Sequence, residues 1–322
     1  MIEDIILLYL RDACMKNIHQ LKVIGMALFF IFFLSPTQTF AHKPEKILED
    51  GDNLFQQYSW IEIINPVVLL SLLVIYIAYL FVIKRRTNLK ISFLKKVSFF
   101  FGLFTTYIAL AGPISILANN SIFSAHMLQQ SLMYVVMPPL ILVGLPEVFY
   151  HFVDKKLSKP VLRLLKSPLI GLLLFNSLWS FYHIPTFYEN ISHNLALLQL
   201  THVVITSSAF LMWIQVLAPE GVISNLSPLK KIGYMFLNGM LITPACALII
   251  FSQDVLYSSM FQAPILFSWQ SPLDDQQLGG IIMKIVQEFA YGSVIGYIFY
   301  KWAKGERAKD SKIDPRPASV IE

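Results

Sequence analysis

The chain has 322 residues, of which 56% are hydrophobic and 14% charged, with a formal net charge of +5. That balance excludes a soluble domain, and the excess base falls in short stretches between apolar runs, so it gives no reason to expect a nucleic-acid partner. Two cysteines, Cys14 and Cys246, exclude a disulfide framework and a CxxC thiol pair for copper or redox exchange.

In chain order, residues 1–14 fit poorly with the segment after them and read as an over-extended start. A basic stretch at 16–22, an apolar core at 23–34 and Thr39-Phe40-Ala41 then resemble a cleaved secretory signal over 15–41, with Met15 as its start. An uncleaved first helix is the alternative. Residues 42–62 form an outer segment, 63–302 a seven-helix membrane domain, and 303–322 a disordered cytoplasmic tail.

The membrane domain rests on seven apolar runs: 63–83, 97–118, 123–149, 169–188, 195–217, 232–251 and 278–302. Each approaches or exceeds the ~20 residues a helix needs to cross a ~30 Å hydrocarbon core. Lipid demands that backbone polar groups be bonded internally, and these runs are too long for barrel strands. The expected fold is an all-α polytopic bundle of seven transmembrane helices. Loop 84–96 carries six bases and no acid, 151–168 carries five bases against Asp154, Lys230 and Lys231 precede the sixth run, and the tail from Lys301 is basic. Segments 119–122, 189–194 and 252–277 hold no Lys or Arg. This alternation predicts the mature N-terminus outside and the C-terminus inside.

With that orientation, His126, His183, His193 and His202 fall on the outer side. The run SAHMLQQSLMYVVMPPLILVGLP at 124–146 sets Gln130, Met133 and Met137 at i+4, i+7 and i+11 from His126, one stripe on a regular helix. Imidazole and thioether suit copper(I). A packing face, with Met filling gaps and His bonded to a neighbour, explains the same residues. Asn176 lies seven residues before His183 and reads as a cross-helix hydrogen-bonding residue. His151 sits at a helix end on the basic side, an ordinary capping position. The last run is the most polar: Asp274 and Asp275 suit a helix N-terminus, Gly279-Gly280 would admit a close neighbour, and Lys284 and Glu288 form an i, i+4 pair inside the bilayer. A mutual salt bridge explains that pair; a polar pathway or a docking face for a membrane partner is the functional alternative.

Four stretches carry a family resemblance: SAHMLQQ with Pro138-Pro139 and Gly144-Leu145-Pro146; Tyr182-His183-Ile184-Pro185 with Tyr188; Thr201-His202 through Phe210 and Trp213 to Pro219; and SPLDDQQLGGIIM at 271–283. Over about 55–305 the chain resembles the CtaG family of caa(3)-type cytochrome c oxidase assembly factors. The resemblance implies a non-enzymatic role in assembling a haem–copper terminal oxidase, with oxidase subunits and the lipid bilayer of a bacterial cytoplasmic membrane as partners, and copper insertion on the outer side as one form of that role. It implies His126, His183 and His202 as candidate copper ligands with Met127 or Met133 supplying sulfur, and Asp275, Gln276, Gln277 and Gln130 as orienting residues. The family commonly has a second histidine where this chain has Gln130, a histidine where it has Leu198, and Trp where it has Lys284. Those departures favour a non-metal scaffold in which the Lys284/Glu288 face holds an oxidase subunit. A copper or small-solute transporter and a haem protein are weaker alternatives, since no internal repeat and no matched histidine pair on facing helices is evident.

Overall fold

The computed structural model describes residues 55, 58–85, 91–120, 122–257 and 271–313. The expected start, signal and most of the outer segment lie outside these residues. Among the described residues there is no strand, and the elements are α1 (Trp60–Ile64), α2 (Pro66–Arg85), α3 (Phe93–Leu110), α4 (Gly112–Asn119), α5 (Phe123–Ser131), a π-helical turn (Leu132–Val136), α6 (Met137–Gly144), α7 (Glu147–Lys156), α8 (Lys159–Leu165), α9 (Pro168–Tyr182), α10 (Pro185–Ser192), α11 (Leu195–Leu217), α12 (Pro228–Ile250) and α13 (Pro272–Ile313).

Among the described residues, six spans are long and apolar enough to cross a membrane: Trp60–Lys84, Phe93–Asn119, Phe123–Gly144, Leu195–Leu217, Pro228–Ile250 and Pro272–Lys309. The seventh expected span is not one straight helix. α8 and α9 meet at a 72° bend, and α9 alone has 15 residues, or about 22 Å of rise. Pro168 opens α9 just ahead of the apolar run at 169–188, and Pro185, which has no N–H to donate to the preceding turn, opens α10 inside it, so the run is divided between two helices. At the other end of the chain α13 continues to Ile313, so helix occupies the first part of the tail expected to be disordered, with Lys309 paired to Glu306 at 2.9 Å.

The third span shows how its prolines are accommodated. Pro138 cannot donate to the carbonyl of Tyr134, and Trp213 Nε1 on α11 donates to that oxygen instead at 3.3 Å. The π-helical turn lies in the same place, as expected where the i→i−4 ladder is interrupted. Carbonyls near the end of α6 receive side-chain donors: Tyr79 Oη to Gly144 O at 2.7 Å, Ser98 Oγ to Leu140 O at 2.7 Å and Tyr150 Oη to Leu142 O at 2.6 Å. Each is a strong hydrogen bond inside an apolar medium, so this span is fixed to α2 and α3 by polar contacts as well as by packing.

Two glycines let α3 and α6 touch backbone to backbone. A Cβ on Gly144 would lie 2.6 Å from Phe99 Cβ and 2.7 Å from Phe99 N, and one on Gly102 would lie 3.0 Å from Ile141 N. No side-chain rotation relieves a clash with backbone. Gly144→Val is expected to destabilise the folded chain by about 1–3 kcal/mol, read as a lowered midpoint of thermal unfolding in detergent. An unchanged midpoint would show that α3 and α6 can separate without loss.

Candidate functional site

The histidine-rich end of the bundle is organised from α13. Ser271 and Asp274 form a reciprocal cap on the start of that helix: Asp274 N donates to Ser271 Oγ at 3.2 Å and Ser271 N to Asp274 Oδ2 at 3.0 Å. The next carboxylate serves a different helix. Asp275 accepts from Phe123 N at 2.6 Å and from Ser124 N at 3.2 Å, capping α5 from 151–152 residues away in sequence. α5 has no side-chain cap from its own Ile122. A carboxylate placed on N–H groups that have no partner within their own helix also complements the helix dipole. Gln276 is fully buried and holds the 252–257 segment, accepting from Leu256 N at 2.7 Å and donating to Asp254 O at 3.3 Å; Gln277 Nε2 donates to Ser252 O at 2.9 Å.

Gly279 and Gly280 complete the junction. A Cβ on Gly279 would lie 2.5 Å from Phe123 and 3.0 Å from Met127, and one on Gly280 would lie 2.8 Å from Ile250. The string SPLDDQQLGG therefore caps its own helix, caps α5, anchors the loop after α12 and admits both neighbouring helices.

Beyond this junction lies the imidazole and phenol cluster. Trp179 Nε1 donates to Gln130 Oε1 at 3.2 Å, which fixes the amide orientation, and Gln130 Nε2 then donates to His126 Nε2 at 2.7 Å. Because an amide nitrogen only donates, His126 Nε2 acts as acceptor and its neutral form carries the proton on Nδ1. Tyr182 Oη lies 3.2 Å from the same nitrogen. His202 Nδ1 is hydrogen bonded to Tyr134 Oη. The His126 and His202 rings stand 6.3 Å apart, centroid to centroid, at 69°. Tyr182 is 5.4 Å from His202 and 5.4 Å from His183, and Tyr188 is 6.1 Å from His126.

His183 faces a different set of partners. Its Nδ1 donates to Trp179 O at 2.7 Å, while its Nε2 is buried and makes no hydrogen bond among the described residues. Tyr257 Oη donates to His183 O at 2.8 Å, tying the loop after α12 to the end of α9. Burial, with Tyr257 and then Glu189 adding, holds the Tyr188 phenol well above the usual range. Burial and Glu189 act on Tyr257 in the same direction. Both phenols are therefore neutral at any physiological pH.

The structure thus brings His126, His202 and Gln130 together, with His183 joined to them through Tyr182 and Trp179. His126 and Gln130 stand one turn apart on α5; a π-helical turn begins at Leu132, one residue before Met133, and Met133 and Met137 are buried in the same packed core as Tyr134, Trp179 and Tyr182. Met127 is buried against Gly279. His193 ends α10, and Asn176 joins α9 to α12 through Asn238 Oδ1 at 2.7 Å, the cross-helix bond expected of it. Among the described residues, no three His, Cys, Asp or Glu side chains form a group that could hold a metal ion. Sequence reasoning gave no site role to Tyr134, Tyr182 or Trp179. Tyr182 was within reach, since a tyrosine immediately before a histidine at a proline-marked helix end can share its surroundings.

The sequence model of the cytochrome c oxidase caa3 assembly factor family (Caa3_CtaG) matches residues 74–305, more than half of the chain. The chain belongs to that family. The match takes in every element from within α2 to most of α13, so the cluster and its junction both lie within the family region. No curated protein and no solved structure matches.

The Trp179–Gln130–His126 chain has a direct test. Trp179→Phe leaves the buried Gln130 oxygen without its donor, a loss of about 1–3 kcal/mol, and frees the amide to rotate. Nitrogen NMR of labelled histidine should then show the His126 tautomer no longer held as Nδ1–H. An unchanged His126 signal would mean that another group fixes the ring.

Proposed function

We propose that this multi-pass membrane protein serves the assembly of a haem–copper terminal oxidase as a non-metal scaffold, and that it catalyses no reaction. The observation that carries this reading is the occupied His126 Nε2. Gln130, held by Trp179, donates to the nitrogen a metal would need, and the family's second histidine is absent at that position. A soft cation entering here would have to break both hydrogen bonds in a buried, apolar setting, where an unpaired polar group is costly. The alternation of basic and base-free loops supports an orientation with the histidine cluster on the outer side, and the family membership supports a bacterial cytoplasmic membrane as the place.

A second reading, transient handling of copper as cargo during oxidase assembly, is favoured by one specific feature. Two histidines from α5 and α11 lie with ring centroids 6.3 Å apart, and a third imidazole nitrogen, His183 Nε2, is buried without a hydrogen bond among the described residues. Copper(I) accepts nitrogen donors in low coordination number.

Deletion of the gene separates the readings. The scaffold reading expects oxidase subunits to be lost or unassembled, with no recovery on adding copper. Assembled but copper-deficient oxidase, rescued by excess copper, would overturn it in favour of cargo handling, and fully active oxidase would overturn both. The purified wild-type protein is expected to retain no stoichiometric copper, whereas Gln130→His, which restores an i, i+4 imidazole pair, should bind it.

A further inference from the structure

Lys284 and Glu288 stand apart from the histidine cluster. Glu288 is thirteen residues from Asp275 and thirteen from Lys301, the nearest charges toward the two ends of α13 apart from Lys284 itself. At ~1.5 Å per residue it lies about 20 Å from each, which is the middle of a membrane whose hydrocarbon core is ~30 Å thick. The Lys284 ammonium is fully engaged: Glu288 Oε1 at 2.7 Å, Thr243 Oγ1 at 3.0 Å and Gln287 Oε1 at 3.1 Å accept its three protons. The carboxylate is not. Lys284 is its one polar partner among the described residues, and its side chain is 59% exposed. An ionisable group turned to lipid at this depth is costly and calls for a polar partner.

The helix face beside it has a matching peculiarity. Met283, Gln287 and Tyr291 are buried against the rest of the bundle, while Ile285, Glu288, Gly292 and Gly296 follow one another on the opposite side at helical spacing. Gly279 and Gly280, in the first turns of the same helix, answer to close neighbours, but a Cβ on Gly292 or Gly296 would meet nothing within 4 Å. Glycine weakens a helix relative to alanine, and no contact among the described residues explains these two. Small residues four apart are what membrane helices use to let another backbone approach.

Resting on the oxidase-assembly reading above, we infer that the Ile285–Glu288–Gly292–Gly296 face of α13 docks a transmembrane helix of an oxidase subunit. That helix carries a hydrogen-bond donor at mid-bilayer, a hydroxyl, amide or basic side chain, placed to cap the Glu288 carboxylate. Charge selects this occupant over the others. In a parallel pair of two copies crossing at Gly292 and Gly296, the two Glu288 carboxylates would oppose each other one turn away, without water. The chain's own apolar stretch at 23–34, VIGMALFFIFFL, has no polar side chain to offer.

The test is a photoreactive amino acid placed at Ile285 or Phe289 of the full chain, in membranes of cells making the oxidase, with exposed Leu73 on α2 as control. An oxidase subunit should be captured from 285 and 289 and not from 73. Capture should be lost in Gly292→Leu and reduced in Glu288→Gln, both still inserted at wild-type level. Capture of only a second copy, or of lipid alone, would overturn the inference. If gene deletion still abolishes the oxidase in that case, the assembly reading stands without this face; if deletion leaves the oxidase intact, the assembly reading itself has failed.

Discussion

The start of α5 is the point on which the arrangement of the polar cluster depends. The first N–H groups of a helix have no acceptor within it, and at the edge of an apolar bundle they need one from elsewhere. Here the acceptor is the carboxylate of Asp275, delivered by the first turn of α13 to Phe123 N and Ser124 N. His126 stands on the very turn that is capped, so its height and rotation are set by a residue 149 positions away in sequence. The contact is possible because Gly279 lets α13 lie directly on Phe123 and Met127.

From that fixed turn the polar groups are arranged in series. Trp179 orients Gln130, Gln130 engages His126, and Tyr182 lies between the surroundings of His126, His202 and His183. Each donor in the Trp179–Gln130–His126 series meets an acceptor, the condition under which a buried polar network specifies one packing instead of destabilising the bundle. Gln130 is the residue through which this chain departs from the histidine pair expected by resemblance. Its amide supplies a donor where a second imidazole would supply another potential ligand.

Much of the architecture was legible in the sequence because lipid leaves few options. Long apolar runs must be helices, and six of the seven expected spans appear as such. The seventh, 169–188, looks continuous in sequence because hydropathy is insensitive to the helix end at Tyr182 and the new start at Pro185; the 72° bend at residues 165–168 lies just ahead of it. The Gly279-Gly280 close approach and the Lys284–Glu288 pair could be read from spacing alone, since both follow from local helix geometry. The π-helical turn at Leu132–Val136 was not legible: periodicity assumes a regular helix, and no residue pattern announces where the i→i−4 ladder is interrupted near Pro138. The role of Asp275 was hidden for another reason: a carboxylate in a first turn has a sufficient explanation in its own helix, and only the fold shows that Asp274 meets that need while Asp275 caps its neighbour.

The most direct test of the Asp275 cap compares Asp275→Ala with Asp274→Ala by amide hydrogen exchange and by oxidase assembly in the same cells. Asp275→Ala is predicted to expose the Phe123 and Ser124 amides to rapid exchange and to depress assembled oxidase, while Asp274→Ala loosens only the start of α13. Equal effects of the two substitutions, or unchanged exchange at Phe123 and Ser124 in Asp275→Ala, would contradict the central role given to this cap.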